Sequence, residues 1–162
     1  MLDDGQVTVL LRSYRASDAR ATADVYRAAI RTTAARHYDH AQVTAWLGGD
    51  IDLERWNRNR ATAWTVVAEL NGAVVGFSDL TTDAQLDMLF VHPDAGGQGV
   101  ARQLVMAVLA HARRRELARV TTHASRAARP VLERLGFVAD AENPTNMVRG
   151  VAVPNVDMHI DL

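Results

Sequence analysis

Residues 86–104 read LDMLFVHPDAGGQGVARQL, and the interpretation of the whole chain depends on this stretch. It begins with an apolar segment typical of a strand, stops at Pro93, passes through a glycine-rich turn and enters an amphipathic helix. Glycine lets the backbone approach a ligand closely because it has no Cβ atom. The first amides of a helix have no partners within it and, together with the helix dipole, favour an anion. The stretch therefore predicts a phosphate-binding turn between a strand and a helix.

The composition is that of a globular domain with nearly balanced charge. The chain has 162 residues, of which 48% are hydrophobic, and a formal net charge of −1. We therefore predict a single domain over residues 1–162. The charge gives no electrostatic argument for nucleic acid or an anionic membrane as a partner. The absence of cysteine excludes a thiol nucleophile, and the absence of lysine excludes Schiff-base chemistry by this chain.

The sequence also bears on where the protein acts. Residues 1–5 are acidic and contain no apolar segment of the kind that a signal peptide needs. No apolar run approaches the ~20 residues that a membrane helix requires. All 18 basic residues are arginine, and alanine is frequent, which is typical of a GC-rich bacterial genome. We therefore predict a bacterial protein that acts in the cytoplasm.

Apolar periodicity and turn signals predict an α/β sandwich with a mixed sheet. A strand is predicted over residues 7–14, and Ser17 is interpreted as the cap of a helix over residues 17–36. Asp39 and Gln42 form a capping-box pattern for a second, short helix. The remaining predicted elements are a helix over 52–60, a hairpin of strands 62–70 and 73–80 with a type I′ turn at Asn71-Gly72, a strand over 86–92, a helix over 100–115, a strand over 119–123, a helix over 127–135 ended by Gly136, and strands over 137–141 and 156–161.

The strand, turn and helix, their position after a hairpin, and the downstream Leu135-Gly136-Phe137 together resemble the Gcn5-related N-acetyltransferase (GNAT) superfamily over about residues 7–162. The family's phosphate loop, Arg/Gln-x-x-Gly-x-Gly/Ala, aligns with residues 96–101. Gly99 and Ala101 match it, whereas Gly96 stands where arginine or glutamine is usual. Residues 87–93 and 124–130 also resemble a YafP-like bacterial subset of the superfamily.

The resemblance implies a fold, a reaction and a cosubstrate. The fold would be a three-layer α/β sandwich whose mixed, mostly antiparallel central sheet is splayed at the coenzyme A (CoA) site. The reaction would move an acetyl group from acetyl-CoA directly to a primary amine, with no metal. The implied cofactor-binding residues form the strand before the loop, the loop itself and one serine after the next strand: Leu89, Phe90, Val91, Gly96, Gly97, Gln98, Gly99, Val100, Ala101, Arg102 and Ser125.

Two other interpretations of the loop are weaker. A Rossmann dinucleotide site would place its third glycine at Arg102, and no acidic residue follows a second strand as that site requires. An ordinary strand-to-helix turn explains the glycines alone but not the order of strand, loop, helix and Gly-Phe pair. The pyrophosphate interpretation therefore stands, with a backbone N–H near Val91 expected to polarise the thioester carbonyl.

An attacking amine must first lose a proton, since its reference pKa is near ~10. Asp87 is the first candidate base, acting through a water, because it lies at the reactive end of the predicted strand. His123, on the neighbouring predicted strand, is the second. Each also has a purely structural interpretation, Asp87 as a buried carboxylate that holds backbone and His123 as a polar residue on a half-exposed strand.

The departing thiolate needs a proton, and the family's usual tyrosine is replaced here by Leu132. Ser125 could hydrogen-bond the sulfur or the pantetheine, or it could cap a helix or a turn. Tyr38 is the other hydroxyl of interest, because the family builds its acceptor site in this segment, although it could equally be a packed aromatic residue. His37 and His40 have metal-compatible spacing, but no third ligand is evident, so no metal is predicted.

The missing tyrosine and the glycine at position 96 keep a second function open. A non-catalytic acyl-CoA-binding sensor or interaction module would share the loop but would show no turnover. The acceptor is expected to be a small-molecule or peptide amine. A homodimer also stays open, through pairing of an exposed last strand with its copy.

Overall fold

The structure is a computed structural model that describes residues 8–162. Its helices are α1 (Ala19–Thr32), α2 (His40–Leu47), α3 (Leu53–Thr62), α4 (Val100–Arg114) and α5 (Arg129–Arg134). Its strands are β1 (Leu10–Ser13), β2 (Trp64–Leu70), β3 (Ala73–Leu80), β4 (Leu89–Val91), β5 (Arg119–Ala124), β6 (Val138–Asn143), β7 (Met147–Val148), β8 (Val151–Ala152) and β9 (Asn155–Asp161).

Seven of the nine described strands form two antiparallel sheets that meet at one point, and β7 and β8 form a separate two-stranded sheet. The first sheet has the order β1-β2-β3-β4, and the second has the order β5-β9-β6. A single parallel bridge between Gln85 and Thr121 joins them. Beyond this bridge β4 stays paired with β3, and β5 stays paired with β9, so the combined sheet divides. This mixed and splayed sheet confirms the predicted fold class.

Helices cover both faces of the first sheet and complete the three layers. The apolar positions of α4, among them Leu104 and Val108, pack with Val66 and Leu80 in the main core. On the opposite face, Val25 of α1 packs against strand residues in a second cluster. Burying apolar area on both sides of a sheet is what stabilises this architecture, at about 25 cal/mol per Å².

Several local predictions are confirmed. Asp39 and Gln42 form the capping box of α2, with the Asp39 carboxylate accepting the Gln42 N–H at 2.8 Å. Asn71 and Gly72 have φ angles of 51° and 80°, as a type I′ turn requires at both central positions. Helix α4 ends one residue before the predicted bound.

Other expectations are wrong in detail. Ser17 is not a helix cap but lies in a 3-10 turn over Ala16–Asp18, and helix α1 ends at Thr32 rather than Arg36. The Asp18 carboxylate organises this turn by accepting the Arg15 N–H at 2.8 Å and pairing with Arg12. Val7, the first residue of the predicted strand, lies outside the described residues, as do residues 1–5.

The last strand is also not an edge. Strand β9 lies between β5 and β6, so the exposed edge of the second sheet is β6. A dimer formed by edge pairing of the second sheet would therefore use β6 and not the last strand. The homodimer itself stays a prediction.

The hairpin β7–β8 is the element that the sequence prediction lacked. It packs against α2, where the Arg149 guanidinium donates to Ala45 O at 2.7 Å. A Cβ atom on Gly48 would overlap the Arg149 guanidinium and displace it, and the φ of 63° at this position also favours glycine. The hairpin thereby fixes α2 beside the divided sheet. None of the helices within residues 8–162 is long and apolar enough to cross a membrane.

Candidate active site

The division of the sheet begins just after the parallel bridge. There, Thr121 N donates to Ala84 O at 3.1 Å and Leu86 N donates to Thr121 O at 2.9 Å. The next groups along this edge are bound by side chains instead. Thr122 Oγ1 donates to Leu86 O at 2.7 Å, and Met88 N donates to Asp79 Oδ1 at 2.8 Å.

A cleft of about 570 Å³ occupies the opening between β4 and the segment that follows β5. Helix α1 and the 3-10 turn that follows it, Ala34–Arg36, border one side, and the start of α4 and helix α5 border the other. Ten of the eleven predicted cofactor-binding residues line this cleft, namely Leu89, Phe90, Val91, Gly96, Gly97, Gly99, Val100, Ala101, Arg102 and Ser125. The eleventh, Gln98, is exposed at the tip of the loop and does not line it.

The charged side chains that line the cleft in the described structure are all basic. Three arginines, Arg36, Arg102 and Arg134, line it together with His92. No aspartate or glutamate belongs to the lining within the described chain, although the protein as a whole is slightly acidic. Low-dielectric walls that carry charge of one sign concentrate the field, so this cleft attracts a polyanion.

The loop between β4 and α4 presents backbone amides to the same space. Gly97 and Gly99 have φ angles of 74° and 76°, a region that glycine enters without steric cost. Gly99 caps α4, and Gln103 N is the first amide of the helix seen to donate back, to Gly99 O at 3.1 Å. The amides of Val100 to Arg102 therefore precede the first helical hydrogen bond, as an anion site requires.

The alternation of backbone groups on β4 determines what faces the opening. His92 N donates to Val75 O at 2.7 Å, so His92 directs its backbone groups toward β3. Because this direction alternates along an antiparallel strand, Phe90 also faces β3, whereas Leu89 and Val91 direct their N–H and C=O groups into the cleft. By the same alternation from Thr121, His123 directs its backbone groups into the opening from the other side.

The register of the two strands places both candidate bases at the closed end of this opening, but neither residue lines the cleft itself. Continuing the parallel register from Gln85 and Thr121 by two residues makes Asp87 and His123 the next facing positions. Asp87 was predicted to lie on the strand, but it lies in the segment before β4. The strand starts later because the amides of both Asp87 and Met88 donate to Asp79 Oδ1. Its side chain is exposed rather than buried.

His123 belongs to a hydrogen-bonded group on the exposed face of the second sheet. Its Nδ1 lies 2.5 Å from Asp157 Oδ1, and Asn143 Nδ2 donates to the same oxygen at 2.7 Å. The hydrogen bond from His123 lowers the pKa of Asp157 below its ordinary value. Since Nδ1 is engaged, Nε2 is the ring atom left for a substrate.

Tyr38 lies apart from the cleft. Its hydroxyl donates to Pro154 O at 2.7 Å and accepts the Arg126 N–H at 3.0 Å. The residue is 5% exposed, burial raises the pKa of its hydroxyl, and it borders a separate cavity between α1 and α2. Tyr38 therefore connects the segment after α1 to two distant loops.

Ser125 combines both roles that the sequence left open. It lines the cleft, and its Oγ accepts the Ala128 N–H at 3.1 Å, which caps the turn that precedes α5. Since the oxygen acts as the acceptor in that bond, the hydroxyl proton stays available to a ligand. Leu132, at the position of the family's tyrosine, is 1% exposed in the main core.

Sequence reasoning missed Arg36 and Arg134 as lining residues. They come from segments far apart in the chain, and neither forms a motif with its neighbours. The sequence carried no signal for either residue, because their common location arises only when α1 and α5 pack on opposite sides of the opening.

Comparison with known proteins gives the family. The family described as the acetyltransferase (GNAT) domain matches residues 34–162. The N-acetyltransferase YafP of Escherichia coli strain K12 is 32% identical over 129 residues, which cover 80% of this chain and 81% of YafP. The chain therefore belongs to the GNAT acetyltransferase family, and the predicted likeness to YafP is confirmed.

Solved structures agree in fold. A GCN5-related N-acetyltransferase from Rhodopseudomonas palustris superposes with a TM-score of 0.90 at 32% identity, over 96% of both chains. The PaiA N-acetyltransferase of Thermoplasma acidophilum, solved with coenzyme A, has a TM-score of 0.79 at 14% identity, covering 96% of this chain and 99% of its own. YncA of Salmonella typhimurium, solved with acetyl-CoA, has a TM-score of 0.74 at 23% identity, with 96% and 94% covered.

Proposed function

We propose that this protein binds acetyl-CoA in the divided sheet and transfers the acetyl group directly to a primary amine of an acceptor. The observation that carries the proposal is the cleft itself, which joins a glycine-rich helix start to three arginines and no carboxylate among the described lining residues. A pyrophosphate and a further phosphate match that set of donors. Direct transfer is the simpler route because the chain has no cysteine to carry the acetyl group.

The cosubstrate would be held along its whole length. Backbone amides from Gly97 to Arg102 would bind the pyrophosphate, with the Arg102 and Arg134 guanidinium groups adding charge. The backbone groups of Leu89 and Val91 on one side, and of His123 on the other, would pair with the two amides of the pantetheine arm. Acetyl-CoA supplies the thioester whose carbonyl carbon the amine attacks.

The closed end of the opening would then carry the proton transfer. The exposed Asp87 carboxylate attracts the ammonium form of the acceptor, and His123 Nε2 accepts the proton that the amine must lose. Asp157 holds the His123 ring in the required orientation through Nδ1. The N–H of Leu89, which faces the cleft nearer its closed end than that of Val91, would stabilise the developing negative charge on the carbonyl oxygen.

The leaving thiolate requires a donor on the cleft wall. The Ser125 hydroxyl lines the cleft with its proton free, so we assign it this role. Tyr38 is assigned no proton transfer because both of its hydrogen bonds go to backbone groups outside the cleft. We further propose that the acceptor is a small-molecule or peptide amine met in the bacterial cytoplasm.

Release of free CoA thiol from acetyl-CoA, measured across a panel of primary amines, tests this function. Amine-dependent release that falls in Asp87→Ala supports the transferase. Tight binding of acetyl-CoA without release for any amine, unchanged in Asp87→Ala, would instead support the acyl-CoA-binding sensor, which the glycine at position 96 and the buried Leu132 keep as the alternative.

A further inference from the structure

We propose that Asp79 and Thr122 hold the cleft open, each by capturing a backbone group that would otherwise continue the parallel ladder between the strands. This inference rests on the proposed function only for the identity of the ligand, since the opening itself belongs to the free protein. It makes both residues positioning residues for cosubstrate binding, although neither lines the cleft.

The ladder before the opening shows which hydrogen bonds are replaced. Thr121 donates its N–H to Ala84 and accepts from Leu86, which is the regular parallel pattern. Continued by one step, the pattern would have His123 N donate to Leu86 O and Met88 N donate to His123 O. These two bonds would pair β4 with β5 and close the space that the ligand needs.

Thr122 occupies Leu86 O, the acceptor of the first of these two bonds. Its hydroxyl donates to Leu86 O at 2.7 Å, and both residues are nearly inaccessible, at 4% and 2% exposure. A buried carbonyl needs a hydrogen-bond partner, and the hydroxyl satisfies Leu86 O without His123. The His123 N–H is therefore left facing the opening.

Asp79 binds the Met88 N–H, the donor of the second of these two bonds. Its carboxylate is 0% exposed, and its Oδ1 accepts the N–H groups of Asp87 and Met88 at 3.1 and 2.8 Å. Asp79 N also donates to Met88 O at 3.2 Å, so Met88 is bound to β3 through both backbone groups. The His123 C=O is thereby left facing the opening as well.

Arg60 keeps Asp79 in place from the other side. Its guanidinium is buried, lies over the Trp56 ring at 4.9 Å, and approaches Asp79 Oδ2 at 3.6 Å. This separation is an ion pair rather than a hydrogen bond. The attraction holds the carboxylate near the Asp87 and Met88 amides, and a charged acceptor binds amides more strongly than a neutral one.

Amide hydrogen exchange in the free protein, together with calorimetric titration of CoA, tests the inference. In Thr122→Val the buried Leu86 carbonyl loses its hydroxyl partner and accepts the His123 N–H instead. Hydrogen exchange at the His123 amide should then slow, and the Kd for CoA should rise. Each change should be about tenfold, the effect of one hydrogen bond. Thr122→Ser keeps a hydroxyl and should leave both values near wild type. Thr62→Val, which removes an exposed hydroxyl bonded to Arg58 O, is the matched control on an outer helix.

Asp79 is tested by a pair of variants. Asp79→Asn keeps an oxygen acceptor for Met88 N and should retain CoA binding, whereas Asp79→Leu removes it and should weaken binding by about tenfold. Unchanged His123 exchange and unchanged CoA affinity in folded Thr122→Val would overturn the inference. A wild-type protein that binds no CoA would overturn the proposed function instead, and His123 exchange would still decide whether Thr122 holds the opening.

Discussion

His123 and Asp157 face each other on adjacent strands, with Nδ1 and Oδ1 2.5 Å apart, beside the closed end of the cleft. Their pairing fixes the ring of a residue whose side chain is otherwise 58% exposed. Asn143 donates to the same carboxylate oxygen, so Asp157 is itself held from β6. A histidine oriented in this way presents Nε2 as a base of fixed position.

His123→Gln should lower kcat/KM by about 10²-fold, the usual contribution of one general base. Asp157→Asn should produce a smaller loss, since the His123 ring keeps a hydrogen-bond partner but loses the carboxylate that now orients it. Steady-state kinetics with one amine at a fixed pH measures both losses. An unchanged kcat/KM in His123→Gln would contradict this role.

Asp87 should behave differently from His123. Because we assign it the attraction of the ammonium group, Asp87→Asn should raise KM for the amine more than it lowers kcat, by about tenfold. Steady-state kinetics with one amine at varied concentration measures the split. A loss confined to kcat would make Asp87 the base in place of His123.

The guanidinium groups of the cleft should control CoA affinity through charge. Arg102→Gln and Arg134→Gln should each weaken CoA binding about fivefold and should reduce the dependence of Kd on salt concentration. Arg113→Gln, at the exposed far end of α4, is the matched control and should change neither. Equal losses in all three variants would mean that the overall charge of the protein, and not the cleft, attracts the ligand.

Gly99 should be needed for its backbone conformation. A Cβ atom there would meet no neighbour within 4 Å, so Gly99→Ala is opposed only by the positive φ of 76°. That conformation costs a non-glycine residue about 1–2 kcal/mol, which corresponds to a roughly tenfold loss of CoA affinity if the loop relaxes away from it. Gly49→Ala, also free of neighbours and without a positive φ, should bind CoA normally.

The sequence predicted those features that local chemistry determines. The turn at Asn71-Gly72 and the start of α4 were predictable because glycine and asparagine are the residues that accept a positive φ. Most of the residues predicted to bind CoA lie in one continuous stretch, which is why the sequence could place them together beside the cleft. The expected helix start at Ser17 failed because the nearby Asp18 carboxylate, which pairs with Arg12 of β1, organises that turn.

Features that depend on distant contacts were not predictable. The hairpin β7–β8 is short and is held by Arg149, which reaches α2 across the fold. Strand β4 is shorter than expected because the Asp79 side chain, on the preceding strand, binds the amides of Asp87 and Met88. The pairing of His123 with Asp157 joins residues 34 positions apart, which no local pattern records.

Asp79 should give the protein a measurable pH response. Burial raises the pKa of its carboxyl to about 6, against the opposing charge of Arg60 and with a smaller contribution from the nearby Asp87 carboxylate. Because the folded state then binds this proton more tightly than the unfolded chain, Asp79 contributes stability below pH 4 that is lost as the pH rises through about 6.

Two measurements check this sign. The Met88 amide resonance should titrate with a midpoint near pH 6, since protonation weakens the acceptor of its N–H. Between about pH 4 and 7, the free energy of unfolding of the wild type should fall by roughly 3 kcal/mol relative to that of Asp79→Asn. A Met88 resonance that titrates near pH 4, or not at all, would contradict the assignment.

A crystal structure of the protein with CoA tests the central claim most directly. The account predicts the pyrophosphate against the backbone amides of Gly97 to Arg102 and the pantetheine arm between Val91 and His123, with the thiol near Ser125. A complex in which CoA lies outside the divided sheet, or in which β4 and β5 pair along the cleft, would contradict it.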